Sequence, residues 1–204
     1  MSLNLQDLPP NPMELFNSWY AQAKSNPSIL DPNKMCISTI NKEGFPELRW
    51  VLMKYHDLEK IRFFTNTKSA KASQIELNNK IGANFIFRYE DYFRQIRITG
   101  YADACDTKHA DDYFATRSRG SQIGAWASNQ SEKIYDRSTL DRQYNYYEDK
   151  FKDKTVPRPQ DWSGYNIVPN KIEFWQSGKH RLHDRFVYER TQDQTSWVIY
   201  RISP

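Results

Sequence analysis

The sequence predicts a mainly β fold with peripheral helices (α+β), most simply an antiparallel sheet or barrel, and three observations carry that expectation. About eight short β-rich runs are separated by turn residues. Helical stripes are inserted between groups of these runs and do not alternate with them one for one, which disfavours a doubly wound parallel sheet. Aromatic residues make up 15% of a chain that is only 38% apolar, with a mean hydropathy of −0.87. Large rings therefore do much of the burying, as in a folded rather than a disordered chain. A length of 204 residues suits one domain, residues 1–204, with a sizeable core.

The elements follow in order. Met13, Leu15, Phe16, Trp19, Tyr20 and Ala23 recur at spacings near three and four, the stripe of an amphipathic helix over 11–24, with Pro12 suited to its first turn. Met35–Ile40, Leu48–Lys54 and Ile61–Thr65 read as strands, with a turn at Asn41–Gly44. A short helical patch at Ser69–Asn78 precedes Ile81–Phe87, where Ile81, Ala83, Phe85 and Phe87 share one strand face. In Arg94–Ala102, Ile96 and Ile98 alternate against Gln95, Arg97 and Thr99, so one face presents donors. Helices return at Thr107–Arg117, capped by Asp106 or Thr107, and at Ser138–Phe151. After a loop marked by Pro157, Pro159 and Gly164 come strands at Tyr165–Val168, Lys171–Gln176, Phe186–Arg190 and Trp197–Ile202.

Several functional classes recede at this point. Cys36 and Cys105 form no CxxC or CxH pattern, which suggests neither a disulfide framework nor a zinc site and fits a reducing compartment. Met1–Pro10 has no basic stretch followed by an apolar run, and no apolar segment approaches a membrane span, so the expected location is cytoplasmic. The net charge of +4 is ordinary for an enzyme and does not point to nucleic acid. His180 and His183 lack a third metal ligand at a suitable spacing, and no GxSxG elbow accompanies the scattered Ser, His and Asp residues.

Glycine is the most informative absence. The 7 glycines include neither GxGxxG nor GxxxxGK[ST], so the phosphate of any bound nucleotide must be held by side chains. Three places concentrate suitable groups. Arg49-Trp50-Val51-Leu52-Met53-Lys54 is either a half-buried strand with snorkelling ends or an anion-binding wall. Thr65 to Lys71 brings hydroxyls and lysines to the start of a helix, which is either a capped turn or an anion site. The densest is Phe174 to Phe186, where Lys179, His180, Arg181, His183 and Arg185 would repel one another without an anion or carboxylates; a solvated turn with Asp184 pairing an arginine is the bland alternative.

Two further stretches are more specific: Arg119-Gly120-Ser121-Gln122-Ile123-Gly124-Ala125-Trp126-Ala127-Ser128-Asn129-Gln130-Ser131, and Ile172-Glu173-Phe174-Trp175-Gln176 followed by Arg181-Leu182-His183-Asp184-Arg185. Together they resemble the pyridoxine/pyridoxamine 5'-phosphate oxidase family, and the resemblance runs from about Asp7 to Pro204. It implies an FMN-binding split β-barrel that forms a homodimer, with two FMN sites built from both subunits and a C-terminal dimerisation region over about 162–204. The implied reaction, part of vitamin B6 biosynthesis or salvage, is hydride transfer from C4' of pyridoxine or pyridoxamine 5'-phosphate to flavin N5. Reoxidation by O2 then gives H2O2, and the product is pyridoxal 5'-phosphate.

Residue by residue, the resemblance implies that Arg49, Trp50, Val51, Leu52, Met53 and Lys54 line the flavin, with Arg49 on its phosphate and Lys54 also near substrate. Phe64, Thr65, Lys71 and Gln95 would join the flavin site, as would Gln130, Ser131, Trp175 and Arg185. Tyr113, Arg117 and Ser121 would hold the substrate phosphate, and their spacing of four sets them on one helical face if the helix continues that far. Arg181 and His183 would lie over the pyridine ring as the catalytic pair, orienting C4' and stabilising charge, with no covalent nucleophile.

Three departures from the family pattern alter the expectations. Ala70 stands where an arginine usually precedes the lysine, which removes a phosphate contact unless Lys68 substitutes. Many members carry, ahead of Asp7-Leu8-Pro9, a basic segment whose arginine and tyrosine close over the substrate; six residues precede that motif here, so closure is expected to be looser or built otherwise. Trp50 replaces a small aliphatic residue at the flavin edge. The alternatives are a split-barrel flavoprotein acting on another small substrate, a pyridoxal 5'-phosphate-binding protein without turnover, and a basic nucleic-acid module whose affinity falls steeply with salt.

Overall fold

The computed structural model describes residues 4–204; Met1–Leu3, the start of the stretch read above for a leader, lie outside the described residues. Eight strands form one antiparallel sheet: β1 (Lys34–Ile40), β2 (Pro46–His56), β3 (Ile61–Asn66), β4 (Lys80–Arg88), β5 (Phe93–Ala104), β6 (Trp162–Gln176), β7 (Asp184–Arg190) and β8 (Trp197–Arg201). The order β3-β2-β1-β4-β5-β6-β7-β8 closes on itself because β3 also pairs with β6, from Ile61↔Ile167 to Asn66↔Trp162. Six strands therefore make a barrel without free edges, and β7 and β8 extend outward from it.

One long strand makes this possible. The sequence suggests two runs, Tyr165–Val168 and Lys171–Gln176, because Pro169 and Asn170 look like a break; they form a single 15-residue strand. The register shift opposite Thr99/Gly100 absorbs the proline, which has no N–H to place in the ladder. Gly100 is required there, since a Cβ would lie 2.1 Å from the Val168 carbonyl oxygen. The first half of β6 closes the barrel on β3 and its second half carries β7.

The strand alternation fills the barrel with Met35, Ile37, Phe63, Phe85, Ile96, Ile98 and Phe174, all at most 1% exposed. Helix α1 (Pro12–Ser25) caps this core. Asn11 accepts from the Met13 N–H at 2.9 Å and Pro12 opens the first turn. Its stripe sets Phe16 edge-on to Phe85 at 5.2 Å and Trp19 edge-on to Phe174 at 5.2 Å. Trp19 is 2% exposed, so Trp19→Ala is expected to cost about 3 to 5 kcal/mol, read as a fall in chemical-denaturation midpoint at unchanged slope.

Helix α2 (Ala70–Leu77) bridges β3 and β4, while α3 (Thr107–Ala115), α4 (Arg119–Ala127) and α5 (Arg137–Lys150) form a lobe between β5 and β6. A separate apolar cluster of Phe114, Ile123, Phe151, Val156 and Trp162 holds the lobe to the barrel. The helix expected over Thr107–Arg117 does not continue to Ser121. It ends when Thr116 and Arg117 N–H groups bond back to Tyr113 and Phe114 carbonyls, and a new helix starts after Ser118. No helix among the described residues is long and apolar enough to cross a membrane.

Candidate functional site

A cavity of ≈ 1040 Å³ lies between the outer part of β2, the end of β3, the start of α2 and the α3–α4 turn. Four cationic side chains line it, Arg49, Lys54, Lys71 and Arg117, against a single carboxylate, Glu47. That imbalance has to be explained residue by residue.

At one end, Lys71 is buried on the inward face of α2, 7% exposed. Its ammonium donates to Thr65 Oγ1 at 3.1 Å, Ser69 Oγ at 3.2 Å and Gln130 Oε1 at 3.4 Å, all neutral oxygens. Burial first, and the nearby Arg49 charge second, push its pKa down to about 8. Arg49 reaches the same region from β2. It donates to Thr39 Oγ1 and to Gln74 Oε1 at 3.0 Å, with Glu47 Oε2 at 3.4 Å. Burial also lowers the pKa of its guanidinium, which Glu47 partly opposes. Ser131 Oγ accepts from the Ala70 N–H at 3.2 Å, and Gln130 Oε1 accepts from Thr65 Oγ1 at 3.1 Å, so the 129–131 loop closes this end.

At the other end, Arg117 sits in the turn between α3 and α4 with its guanidinium 4.9 Å from the Trp162 ring and 5.5 Å from the Phe114 ring. Its Nη1 is one of two buried side-chain nitrogen or oxygen atoms among the described residues without a hydrogen-bond partner. Burial lowers its pKa, and no carboxylate opposes this. A desolvated, unpaired cation of this kind is costly, and an anion entering the cavity would offset that cost. Ser121, in the first turn of α4, bonds to Ser118 at 2.9 Å beside it. Tyr113, Phe64 and Trp162 stack as a wall, Phe64 lying 4.5 Å from Tyr113 and 5.2 Å from Trp162, and Lys54 Nζ stands 5.6 Å from the Tyr113 ring.

The structure thus gathers Arg49, Trp50, Val51, Leu52, Lys54, Phe64, Thr65, Lys71, Gln130 and Ser131 with Tyr113, Arg117 and Ser121 around one cavity. Although the helix breaks after Ala115, the turn still delivers the latter three together. Met53 is not among the residues that line the cavity; strand alternation turns its side chain into the core, where it is 3% exposed. The ammonium of Lys68, on the exposed surface, pairs with Asp161 Oδ2 at 2.7 Å.

Gln95, Trp175, Arg181, His183 and Arg185 lie elsewhere in the same chain. Gln95 faces a second depression of ≈ 410 Å³ on the outer barrel surface and donates to Asn84 Oδ1 at 2.8 Å. One carboxylate compensates part of the basic cluster, since Arg185 Nε donates to Glu173 Oε1 at 2.7 Å; Asp184 pairs with Arg201, outside that cluster, at 3.1 Å. Arg181 and His180 occupy a turn with positive φ, 64° and 55°, a strained conformation for side-chain-bearing residues. His183 packs 4.6 Å from Trp175, and its Nδ1 accepts from the Gly178 N–H at 3.1 Å, which leaves the ring proton on Nε2.

Sequence reasoning missed the residues that organise the cationic end. Thr39 and Gln74 hold Arg49 with Glu47 beside it, and at the other end Trp162 carries Arg117. Two spacings hold a signal: Glu47 and Arg49 share a strand face, and Lys71 and Gln74 lie three apart on one helix.

A closed antiparallel barrel with a cation that no carboxylate matches at either end of one large cavity is the architecture of a protein suited to anionic small molecules. Comparison with known proteins narrows the class. Residues 22–151 match the family model for pyridoxamine 5'-phosphate oxidase, and residues 162–204 match that for the pyridoxine 5'-phosphate oxidase C-terminal dimerisation region. The chain is 44% identical over 202 residues to the pyridoxine/pyridoxamine 5'-phosphate oxidase of Shewanella sp. (strain W3-18-1), covering 99% of this chain and 93% of that one. It is 42% identical, with the same coverage, to the enzyme of that name from Aliarcobacter butzleri (strain RM4018).

Among solved structures, PhzG from Burkholderia lata 383 in complex with tetrahydrophenazine-1-carboxylic acid matches with a TM-score of 0.89 at 25% identity, covering 98% of this chain and 95% of that one. A pyridoxamine 5'-phosphate oxidase-related, FMN binding protein from Nostoc punctiforme PCC 73102 shares the fold, with a TM-score of 0.71 at 17% identity over 97% and 99% of the two chains. The chain belongs to the pyridoxine/pyridoxamine 5'-phosphate oxidase family. It is an FMN-dependent oxidoreductase.

Proposed function

We propose that this protein oxidises pyridoxine 5'-phosphate or pyridoxamine 5'-phosphate to pyridoxal 5'-phosphate, with O2 reduced to H2O2. The observation that carries the proposal is a pair of cations without carboxylate partners, buried Lys71 and half-buried Arg117, at separate ends of one cavity. Two phosphorylated ligands, cofactor and substrate, are what such a site fits.

FMN suits the first end: Lys71 and Arg49 with Thr65, Gln130 and Ser131 offer its phosphate charge and hydroxyl groups, and Trp50, Val51, Leu52 and Phe64 line the space beyond. When bound, FMN supplies the redox chemistry, accepting the two electrons removed from the substrate and passing them to O2. The chain's own work is placement. Arg117, Ser121 and Tyr113 take the substrate phosphate, Lys54 lies beside Tyr113, and the aromatic wall excludes water from that side.

Gln95, Trp175 and Arg185 on the flavin, and Arg181 and His183 on the pyridine ring, act in this account on the cavity of a second subunit. What supports it is that the last four lie in the segment matching the dimerisation region, and that all five sit away from the cavity of their own chain. His183, with its Nδ1 engaged by Gly178, presents Nε2–H as a donor to the substrate. Arg181→Ala is expected to lower the oxidation rate at least about a hundredfold with little change in FMN affinity, as for a group acting on transition-state charge. Arg185→Ala is expected chiefly to weaken FMN retention. Stopped-flow reduction and flavin fluorescence separate the two effects, and the reverse pattern would show the two assignments to be exchanged.

The function is tested by reconstituting the protein with FMN, recording its visible spectrum, and following peroxide and pyridoxal 5'-phosphate after adding pyridoxine 5'-phosphate in air. A second reading, a flavoprotein acting on another small substrate, is favoured by the PhzG complex. It requires reduction of the bound flavin by tetrahydrophenazine-1-carboxylic acid or a compound like it, but none by the phosphorylated vitamer. Vitamer binding with no peroxide would instead indicate a pyridoxal 5'-phosphate-binding protein.

A further inference from the structure

We propose that Glu47 is a resident counter-ion for Arg49 that competes with the phosphate of FMN and thereby sets how tightly the cofactor is held. This rests on the assignment of Arg49 and Lys71 to that phosphate. Glu47 is the only carboxylate among the cavity-lining residues. Its Oε2 accepts from Gln74 Nε2 at 2.8 Å and stands 3.4 Å from Arg49 Nη2, while Oε1 accepts from Asn41 Nδ2 at 3.1 Å. These hydrogen bonds, Gln74 foremost, hold the carboxyl below its usual range, so it is charged at neutral pH.

Arg49 does not depend on Glu47 for its place. Thr39 Oγ1 and Gln74 Oε1 already accept from both terminal nitrogens of the guanidinium, and the Arg49 side chain is 20% exposed against 45% for Glu47. The carboxylate therefore contributes charge at the anion site more than geometry. A phosphate approaching Arg49 meets a like charge within reach of the same guanidinium, and repulsion of this kind weakens binding of the phosphate without affecting the isoalloxazine.

The test is cofactor affinity in the apoprotein, read by quenching of flavin fluorescence, with FMN and riboflavin as paired probes. Glu47→Gln removes the charge and keeps one acceptor oxygen, for Gln74 Nε2, at the loss of the bond accepted from Asn41 Nδ2. It is expected to tighten FMN binding about three- to fivefold, the scale of a partly exposed charge pair, and to leave riboflavin binding unchanged. Unchanged FMN affinity, weaker FMN binding, or equal tightening of both flavins would each overturn the proposal. Lys71→Met in the same series separates the two levels: if it leaves FMN affinity intact, the phosphate assignment itself is wrong and the role of Glu47 falls with it.

Discussion

Arg117→Met lowers kcat/KM for pyridoxine 5'-phosphate by about two to four orders of magnitude and leaves the FMN dissociation constant within about twofold. The magnitude follows from the loss of two charge-assisted hydrogen bonds to phosphate in a desolvated site, at about 1.5 to 3 kcal/mol each, with each 1.4 kcal/mol worth tenfold. Methionine retains packing against Trp162 and Phe114, on which the arginine rests at 4.9 and 5.5 Å. The variant has a second, opposite effect. Nη1 of Arg117 is buried without a partner in the ligand-free chain, so removing the charge removes a desolvation cost, and the ligand-free variant should melt no lower than the parent. Loss of activity without loss of stability marks a residue kept for its ligand. Steady-state kinetics with a melting curve on the same sample checks both.

The second large effect is expected at Lys71, where Lys71→Met weakens FMN binding about ten- to a hundredfold by removing a buried ammonium from the phosphate. The parent protein carries a pH signature that the variant lacks. With its pKa depressed from 10.5 to about 8, the ammonium is largely charged below pH 8 and loses its proton above it. FMN affinity should accordingly be flat below that point and fall as the pH rises through it. Stability without FMN runs the other way: between pH 8 and 10.5 the unfolded chain binds the extra proton, so folding becomes more favourable with rising pH across that window. Fluorescence titration and denaturation at matched pH values measure the two opposite slopes.

The elements that sequence reasoning located share a physical property: one face is buried and the other is not. Ile81, Ala83, Phe85 and Phe87 announce β4 because the barrel interior takes every second residue, and the stripe of Met13, Phe16 and Trp19 announces α1 for the same reason at helical period. The failures arise where local pattern and long-range geometry diverge. Pro169 looks like a strand break because its missing N–H is visible in sequence, whereas the bulge that accommodates it depends on Gly100, 69 positions earlier on a partner strand. The Tyr113, Arg117 and Ser121 spacing cannot distinguish one helix from two, since both deliver the three to one place.

Site residues were legible as motif positions but not as a geometry. Nothing in the sequence alone shows that Arg49 is held by Thr39 on β1 and Gln74 on α2, or that Arg117 rests on Trp162 from the start of β6, because those contacts join elements brought together only by the fold. Lys68, near Ala70, is paired with Asp161. In the proposed account the FMN phosphate end relies on Lys71 and Arg49.

The claim that two unmatched cations receive two phosphates is tested most directly by giving the FMN-loaded protein pyridoxine 5'-phosphate and, separately, unphosphorylated pyridoxine at the same concentration in air. The account predicts equal amounts of pyridoxal 5'-phosphate and H2O2 from the first and negligible turnover of the second, with the difference abolished in Arg117→Met. Equal oxidation of both compounds, or of neither, would contradict it.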